Sequence, residues 1–258
     1  VNKGVDLLLA AWPLVLERVP AARLVVVGFG AYRTGLERLL AALSAGDLDR
    51  AREIALAGGA LEGSPSQRLP GASLSLSPPS ASSSPPAQHR PLRRLLAFID
   101  GLRGDERERY LAAARALPER VVLSGRLDHD ELAELLPACE ALVVPSTFPE
   151  AFGMVAAEAA ACGALPISAA HSGLAEVSAA LARAVPAEVA PWLSFGIDDD
   201  SVRALAERIL AWLEVDPALR EWTRAGLVST VRERWSWEGV ARGVIAAARG
   251  ELDALATP

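Results

Sequence analysis

Two glutamates, Glu150 and Glu158, flank a short glycine-containing loop at the start of an alanine-rich stretch. The apolar run Ala141 to Val144 comes just before this loop and ends at Pro145, so the pattern predicts a β-strand followed by a loop. Ligands of open α/β sheets bind at the carboxyl ends of such strands. If the next helix begins near Met154, Glu158 lies about one turn into it, while Glu150 stays in the loop.

The chemistry of this loop suits a sugar nucleotide. A carboxylate accepts two hydroxyl hydrogen bonds well, and the vicinal diols of ribose and of sugar rings offer such pairs. The amides of Phe152, Gly153 and Met154 would point out of the amino end of the helix, where a diphosphate is favoured. A second interpretation is that Glu150 and Glu158 are ordinary surface charges, as most glutamates are.

The stretch from Pro145 to Val177, PSTFPEAFGMVAAEAAACGALPISAAHSGLAEV, resembles the retaining glycosyltransferases of the GT-B fold. The carboxyl-terminal half of that family carries a Glu, seven residues, then Glu signature, which Glu150 and Glu158 match. The stretch departs from the family at Ala160, where methionine is usual, and at Ser172, where glycine is common. The resemblance implies the donor-binding half of such an enzyme, which takes a nucleoside-diphosphate sugar and transfers a hexosyl group with retention. Glu150 would then bond sugar hydroxyls, and Glu158 the ribose diol.

The amino-terminal segment VNKGVDLLLAAWPLV is similar to the Lys-Gly-x-Asp segment of the same donor domain. By this resemblance Lys3 is a diphosphate ligand, and its compact ammonium group suits phosphate oxygens. The apolar residues behind Lys3 recur at helical spacing. The arginine that accompanies this lysine in the family would precede Val1. The sequence is therefore interpreted as a fragment that lacks the acceptor-binding amino-terminal domain and transfers no sugar by itself.

Two further segments follow predicted strands. Gly28 and Gly30 come directly after Leu24 to Val27 and would let the backbone approach a ligand, and the resemblance places them near the sugar or the phosphates. Arg33 stands where a dinucleotide-binding fingerprint needs its third glycine, which speaks against NAD. The resemblance places Arg126 beside the nucleotide base, where it would stack on the base or bond to it.

The alternation of strands and helices indicates an α/β fold, a doubly wound, Rossmann-like domain with a parallel sheet. The continuous apolar character of the strands is typical of a parallel sheet that is buried on both faces. The predicted strands are Leu24 to Val27, Val121 to Ser124, Ala141 to Val144 and Ala164 to Ser168.

Several helix ends have recognisable caps. Asp128 and Glu131 have the spacing of a capping box. A helix from Ser201 to Glu214 is expected to be capped by Asp199 or Asp200, and a further helix is predicted from Leu219 to Arg234. The side chains of the consecutive residues Asp198, Asp199 and Asp200 project in different directions, so these aspartates predict no metal site. The expected enzyme is metal-independent and needs no cofactor beyond its donor substrate.

Residues 58–91 are rich in Ser, Pro, Gly and Ala, with almost no aromatic or β-branched side chains. Such a stretch buries too little apolar surface to offset the entropy lost on ordering. Its length also exceeds that of ordinary loop connections. We therefore predict a disordered insertion within one nucleotide-sugar-binding domain that spans residues 1–258.

The net charge of −6 and the lack of a basic cluster argue against a nucleic-acid partner. The short basic run Arg90 to Leu96 is expected to begin a helix, and a peripheral contact with a membrane surface is a second interpretation. No apolar run reaches the roughly 18 residues of a transmembrane helix, and no signal peptide opens the sequence. Cys139 and Cys162 are interpreted as buried free thiols, so the expected location is cytoplasmic.

Two other classes of function stay open. A GT-B sugar-nucleotide epimerase would share the fold and the donor, and only its products would separate it from a transferase. A noncatalytic Rossmann-like module that binds NAD or a protein partner is the more distant alternative. The sequence does not identify the base, the sugar, the acceptor or the oligomeric state.

Overall fold

The computed structural model describes residues 2–62, 90–251 and 253. The residues group into two compact units. Unit 1 comprises Val5–Arg126, and unit 2 comprises Asn2–Gly4 together with Leu127 onwards. The single domain over residues 1–258 stays a prediction. Both units contain parallel strands connected through helices, which confirms the predicted α/β class.

In its described residues, unit 1 has two strands and six α-helices. Its elements are α1 Val5–Arg18, β1 Leu24–Val27, α2 Arg33–Ser44, α3 Leu48–Ala57, α4 Arg93–Gly101, α5 Gly104–Ala114, α6 Leu117–Arg120 and β2 Val121–Gly125. The apolar spacing predicted for α1 is confirmed, because nearly all of its side chains up to Leu16 are buried. Tyr110 lies in the same core, where its hydroxyl donates to Ala10 O at 3.0 Å. A buried hydroxyl needs such a partner, so this bond ties α5 to α1.

Strands β1 and β2 are parallel neighbours, with Leu24 opposite Val121 and Val25 opposite Val122. Burial on both faces was expected for them, and this prediction is wrong. Leu24 and Val121 are buried, whereas Val25 and Val122 are 41% and 55% exposed. Successive side chains of a strand point to opposite faces, so one face of this two-stranded sheet packs on the core of unit 1 and the other is accessible.

The two ends of the predicted insertion lie within the described residues. Gly58–Glu62 forms a short 3₁₀ helix after α3. Gly59 N donates to Arg90 O, and Leu92 N donates to Ala55 O at 2.8 Å. The residues before and after the predicted insertion therefore lie side by side. Residues 58–62, 90 and 91 of the predicted insertion are therefore among the described residues. The predicted disorder otherwise concerns residues 63–89, which lie outside the described residues.

Unit 2 builds a three-stranded parallel sheet in the order β3-β4-β5. Its elements are α7 His129–Leu135, β3 Ala141–Val144, α8 Met154–Ala161, β4 Leu165–Ala169, α9 Ser172–Ala182, β5 Ser194–Phe195, α10 Ser201–Leu213, α11 Pro217–Arg234 and α12 Trp237–Ala248. Every residue of β4 is buried, as expected for a central parallel strand.

An ion-pair cluster joins α11 to the start of β3. One carboxylate oxygen of Glu140 accepts from Arg224 at 2.9 Å and lies 3.0 Å from a guanidinium nitrogen of Arg220. The backbone oxygen of Glu140 accepts from the indole of Trp212 at 2.7 Å. The guanidinium group of Arg220 also lies over the Trp212 ring. These contacts fix α10 and α11 at the amino-terminal end of β3.

The capping box at α7 is confirmed. Asp128 accepts from the amide of Glu131, and Glu131 accepts from the amide of Asp128. At α10 Asp200 occupies the N-cap position, as one of the two predicted residues, but its side chain makes no capping bond. The Asp198 carboxylate instead accepts from Asp200 N at 3.0 Å. The Asp198 carboxylate therefore stabilises the turn before α10 and does not cap the helix.

The bounds of β1 and β3 match the prediction, whereas β4 lies one residue later and β2 is one residue longer. Helix α4 begins at Arg93, inside the basic run that was expected to start a helix. Across the described ranges, no helix combines the length and apolar character needed to cross a membrane.

Candidate functional site

The hydroxyl of Ser146 contacts two other residues of the loop between β3 and α8. This side chain is buried and lies 3.0 Å from Phe148 O and 2.9 Å from Glu150 Oε1. The loop also receives the amino-terminal segment, because Thr147 N donates to Asn2 O at 2.8 Å. Residues distant in sequence thus meet at the carboxyl end of β3.

Gly4 allows this close approach. It has φ +64°, and a Cβ at this position would overlap Pro145 O. A larger residue would have to push the segment away from the loop, whereas glycine adopts this backbone conformation without strain. The lysine of the Lys-Gly-x-Asp segment is thereby fixed beside the loop that carries the first glutamate.

Lys3 and Glu150 form an ion pair in which Nζ lies 2.5 Å from Oε1. The lysine side chain is 72% exposed and that of the glutamate 25%. The hydrogen bond from Lys3, aided by one from Ser146, holds the pKa of Glu150 below its usual value. Glu150 is therefore a carboxylate acceptor at neutral pH, and the partner ammonium keeps most of its surface open to a ligand.

His171 and Ser172 hold the other side of the loop. His171 Nε2 lies 2.7 Å from Ser146 O, and a carbonyl only accepts, so Nε2 carries the proton. Nδ1 then accepts from the Ser172 hydroxyl at 3.0 Å, and that hydroxyl accepts from Glu150 N at 3.0 Å. This chain of bonds gives His171 a supporting position.

Ser172 explains how the sequence tolerates its departure from the glycine common in the family. It has φ +48°, a conformation that glycine adopts readily and serine rarely. Its hydroxyl is bonded on both sides, to His171 and to the amide of Glu150, which offsets the cost of that backbone. Sequence reasoning missed this role because it depends on a contact between segments 22 residues apart, and it missed the role of Ser146 because the irregular loop that brings Ser146 to Glu150 has no sequence pattern.

Helix α8 starts at Met154, as predicted, with Gly153 in the left-handed conformation at φ +91°. Its first internal bond is donated by Ala156 N to Gly153 O. The amides before Ala156 have no acceptor within the helix, as is general for a first turn. Glu150 O accepts from Gly173 N at 3.0 Å, so the starts of α8 and α9 are joined. The geometry leaves a helix amino terminus next to the Lys3–Glu150 pair.

The remaining predicted residues of unit 2 lie along this segment. The Phe152 ring packs edge-on against Trp235, with 5.7 Å between centroids, which anchors the loop. Met154 is exposed at the first residue of α8. Glu158 is exposed in the second turn, between buried alanines.

The predicted residues Gly28, Gly30 and Arg126 belong to unit 1, and the structure groups them at the carboxyl ends of β1 and β2. Gly28 N donates to Gly125 O at 2.8 Å. The Arg126 guanidinium carbon lies 5.8 Å from the centre of the Phe29 ring. Arg33, the residue that breaks the dinucleotide fingerprint, donates to Leu123 O at 3.0 Å and so fastens α2 to β2.

Within the described part of the chain, no group of three or more His, Cys, Asp or Glu side chains is arranged to hold a metal ion. Cys139 and Cys162 are free thiols, but they are half-buried and not fully buried as predicted. Cys139 directly follows a 3₁₀ turn, and Cys162 is the C-cap residue of α8. Partial burial raises the pKa of both thiols.

Comparison with known proteins gives one family. Residues 90–227, more than half of the chain, match the family described as glycosyl transferases group 1. Among solved structures, sucrose-phosphate synthase from Thermosynechococcus elongatus is 31% identical over 58% of this chain, with a TM-score of 0.41. The alignment spans 35% of the length of that synthase. The curated proteins contain no match.

Proposed function

The chain belongs to the glycosyl transferases group 1 family, and we propose that it binds the nucleoside-diphosphate sugar of a GT-B glycosyltransferase. The observation that carries this proposal is the Lys3–Glu150 pair beside the start of α8. The pair brings a cation and a carboxylate together in the loop that leads into α8, whose first-turn amides have no acceptor within the helix. Diphosphate needs positive charge and N–H donors, while sugar hydroxyls need a strong acceptor.

The diphosphate is assigned to Lys3 and the first amides of α8. When the donor reacts, the bond between the anomeric carbon of the sugar and a diphosphate oxygen breaks, and negative charge grows on the leaving diphosphate. Groups aimed at that oxygen stabilise the charge as it develops. Transfer with retention of anomeric configuration, which the resemblance implies, is part of the same proposal.

Composition gives the Lys3 assignment independent support. Lysine occurs once among the 26 Lys and Arg residues of the chain, and all the others are arginine. An ammonium group is a compact point charge with three rotatable donors, unlike the planar guanidinium group. A chain that otherwise uses arginine thus keeps lysine at the position where the proposal requires a phosphate ligand.

Glu150 is assigned to the sugar hydroxyls and Glu158 to the ribose diol. Glu150 is ionised and bonded to Ser146 through one oxygen, which leaves its second oxygen to accept from a hydroxyl. Glu158 lies eight residues further on, exposed in α8. The two carboxylates therefore recognise different parts of one donor.

The single lysine makes a direct test available. An amine-specific acetylating reagent modifies Lys3 and the terminal α-amine, which serves as the internal reference in the same sample. We expect UDP, GDP or ADP, or the matching nucleotide sugars, to slow acetylation of Lys3 while the α-amine reacts at an unchanged rate, as quantified by peptide mass spectrometry. Equal modification of Lys3 at saturating concentrations of every nucleotide would contradict the assignment.

Calorimetric titration of the same nucleotides provides the affinity measurement. Lys3→Ala should weaken binding of the tightest nucleoside diphosphate, and added salt should reduce the difference between the variant and the wild type, because the lost contact is largely electrostatic. Arg107→Ala, at an exposed position of α5, is the control for removing one positive charge. Equal weakening by both substitutions would indicate a general charge effect and not a site.

A further inference from the structure

A groove of about 460 Å³ follows one face of α11 within unit 2. The α11 residues that line it recur at the spacing of a single helix face, and they are Glu221, Arg224, Ala225, Val228, Ser229 and Arg232. Cys162 and Gly163, at the end of α8, form the other wall. A Cβ added at Gly163 would lie 3.8 Å from Arg224 Cβ, so the end of α8 already packs on α11 at the base of the groove.

The two ends of this α11 face carry opposite charges. Glu221 and Arg232 are exposed, and neither forms an ion pair with another described residue. They lie about three turns, or about 16 Å, apart along the helix. The residues between them at the exposed surface, Ala225 and Ser229, are small and uncharged. The described part of the chain thus leaves a carboxylate and a guanidinium group without a counter-charge at opposite ends of the groove.

A second copy of α11 in antiparallel orientation would supply both counter-charges. When two such helices cross midway between Ala225 and Val228, Glu221 of one copy lies opposite Arg232 of the other. The twofold axis repeats the same contact at the far end, so both charges of both copies are paired. A parallel, in-register pair would instead place like charges opposite each other, which disfavours association.

The middle of the face suits the same arrangement. Ala225 of one copy meets Val228 of the other, and a small residue opposite a larger one lets two helices pack closely. Arg224 meets Ser229. One nitrogen of Arg224 donates to Glu140 at 2.9 Å, and a guanidinium group has five N–H donors, so others remain for a hydroxyl.

Trp222 favours a protein partner for this face. It lies at the edge of the face, one turn before Ala225, and is 66% exposed. So exposed a ring contributes little to the packing of its own chain, whereas tryptophan is enriched at the centres of protein interfaces. A small anion would gain nothing from the indole ring and would be repelled by Glu221.

We infer that this face of α11 is the contact surface of a homodimer, in which two copies of α11 lie antiparallel across a twofold axis. The inference is independent of the proposed function, because every residue that carries it belongs to α11. A single pair of helices buries less than the roughly 1,200–2,000 Å² of a stable interface, so the dimer forms only as concentration rises.

Sedimentation equilibrium of the full chain at a series of concentrations tests the pairing of charges. The wild type should dimerise. Glu221→Arg and Arg232→Glu should each raise the dissociation constant about tenfold, because one reversal affects both symmetric contacts. The double variant Glu221→Arg/Arg232→Glu should return to the wild-type constant, because opposite charges face each other again. Glu207→Arg, at an exposed position of α10, is the control for reversing one charge.

A second comparison tests the aromatic part of the surface. Trp222→Ala should weaken dimerisation, whereas Trp237→Ala, which removes a tryptophan that is 90% exposed on α12, should not. Circular dichroism should show wild-type helix content in every variant, since all the substituted residues are exposed.

Four results would overturn the inference. A wild type that stays monomeric at every concentration leaves no dimer to explain. A double variant that associates no better than the single ones shows that Glu221 and Arg232 do not face each other. An equal loss in Glu207→Arg indicates a general effect of charge. A larger loss in Trp237→Ala than in Trp222→Ala places the contact on α12.

Discussion

Replacing Gly173 by alanine tests the architecture that carries Glu150. Gly173 is the second residue of α9, and its amide donates to Glu150 O at 3.0 Å. A Cβ added here would lie 2.5 Å from Phe152 Cα and 2.6 Å from both Ala151 O and Phe152 N. All three are backbone atoms, so no side-chain rotation relieves the collision.

The magnitude follows from these distances. Ordinary contact with a Cβ begins near 3.4 Å, so the loop and α9 must separate by about 1 Å. Such overpacking in a well-packed region costs about 1–3 kcal/mol. The same movement displaces the backbone of Glu150, so nucleotide-sugar affinity should fall together with stability.

Gly243 provides the matched control. It also lies within a helix, α12, but a Cβ added there meets no atom within 4 Å. Gly243→Ala should therefore stabilise the chain by up to about 1 kcal/mol through helix propensity alone. Denaturant unfolding followed by circular dichroism gives both free energies of unfolding, and calorimetry with the tightest of UDP, GDP and ADP gives the affinities. A Gly173→Ala variant with wild-type stability and affinity would refute this account of the loop.

Three other substitutions test separate parts of the structure. Glu158→Ala should weaken binding of the nucleoside diphosphate by about 1.5–3 kcal/mol in calorimetry, because hydrogen bonds to a charged group are lost. Glu207 is an exposed helical glutamate in α10, so Glu207→Ala should leave the nucleotide affinity unchanged. Burial raises the pKa of Asp6 from 3.8 to about 6. The stability that neutral Asp6 contributes is therefore present below pH 3.8 and is lost as pH rises through 6. At pH 8, Asp6→Asn should raise the free energy of unfolding above the wild-type value by up to about 3 kcal/mol in denaturant unfolding. At about pH 3.5 the variant should be no more stable than the wild type. Glu150→Gln should strengthen binding of inorganic pyrophosphate, because it frees Lys3. The same variant should lower the affinity of a nucleotide sugar relative to that of its nucleoside diphosphate. The opposite change in either calorimetric titration would contradict the roles given to Lys3 and Glu150.

The local features of this fold are predictable because they depend on neighbouring residues. The capping box of Asp128 and Glu131 needs a spacing of three, and the start of α8 at Met154 follows a glycine that adopts the left-handed conformation. The bounds of β3 follow from a short apolar run stopped by Pro145. Each of these signals lies within a few residues of the structure it specifies.

The errors come from contacts that sequence spacing does not encode. Val25 and Val122 look like core residues because both belong to apolar runs, yet burial depends on what covers each face of the sheet. The Ser172 hydroxyl lies 22 residues from Glu150 along the chain, yet it accepts from the Glu150 amide, and His171 lies 25 residues from the Ser146 carbonyl that it contacts. The resemblance assigned Lys3 and Glu150 to one ligand, but only the fold places their charged atoms in contact.

If Lys3 and Glu150 bind the donor as proposed, their contact orders the site before the donor arrives. An isolated ammonium group on a mobile segment would lose rotamer freedom on binding, and that cost would subtract from the affinity. Here Gly4 and the bond from Thr147 to Asn2 fix the segment, and Glu150 holds the ammonium group. The ion pair is exposed on the lysine side, so it is weak and easily exchanged. Under the proposed function, an arriving diphosphate would take over an ammonium group already in position, and the carboxylate released from Lys3 would be free to accept from the sugar.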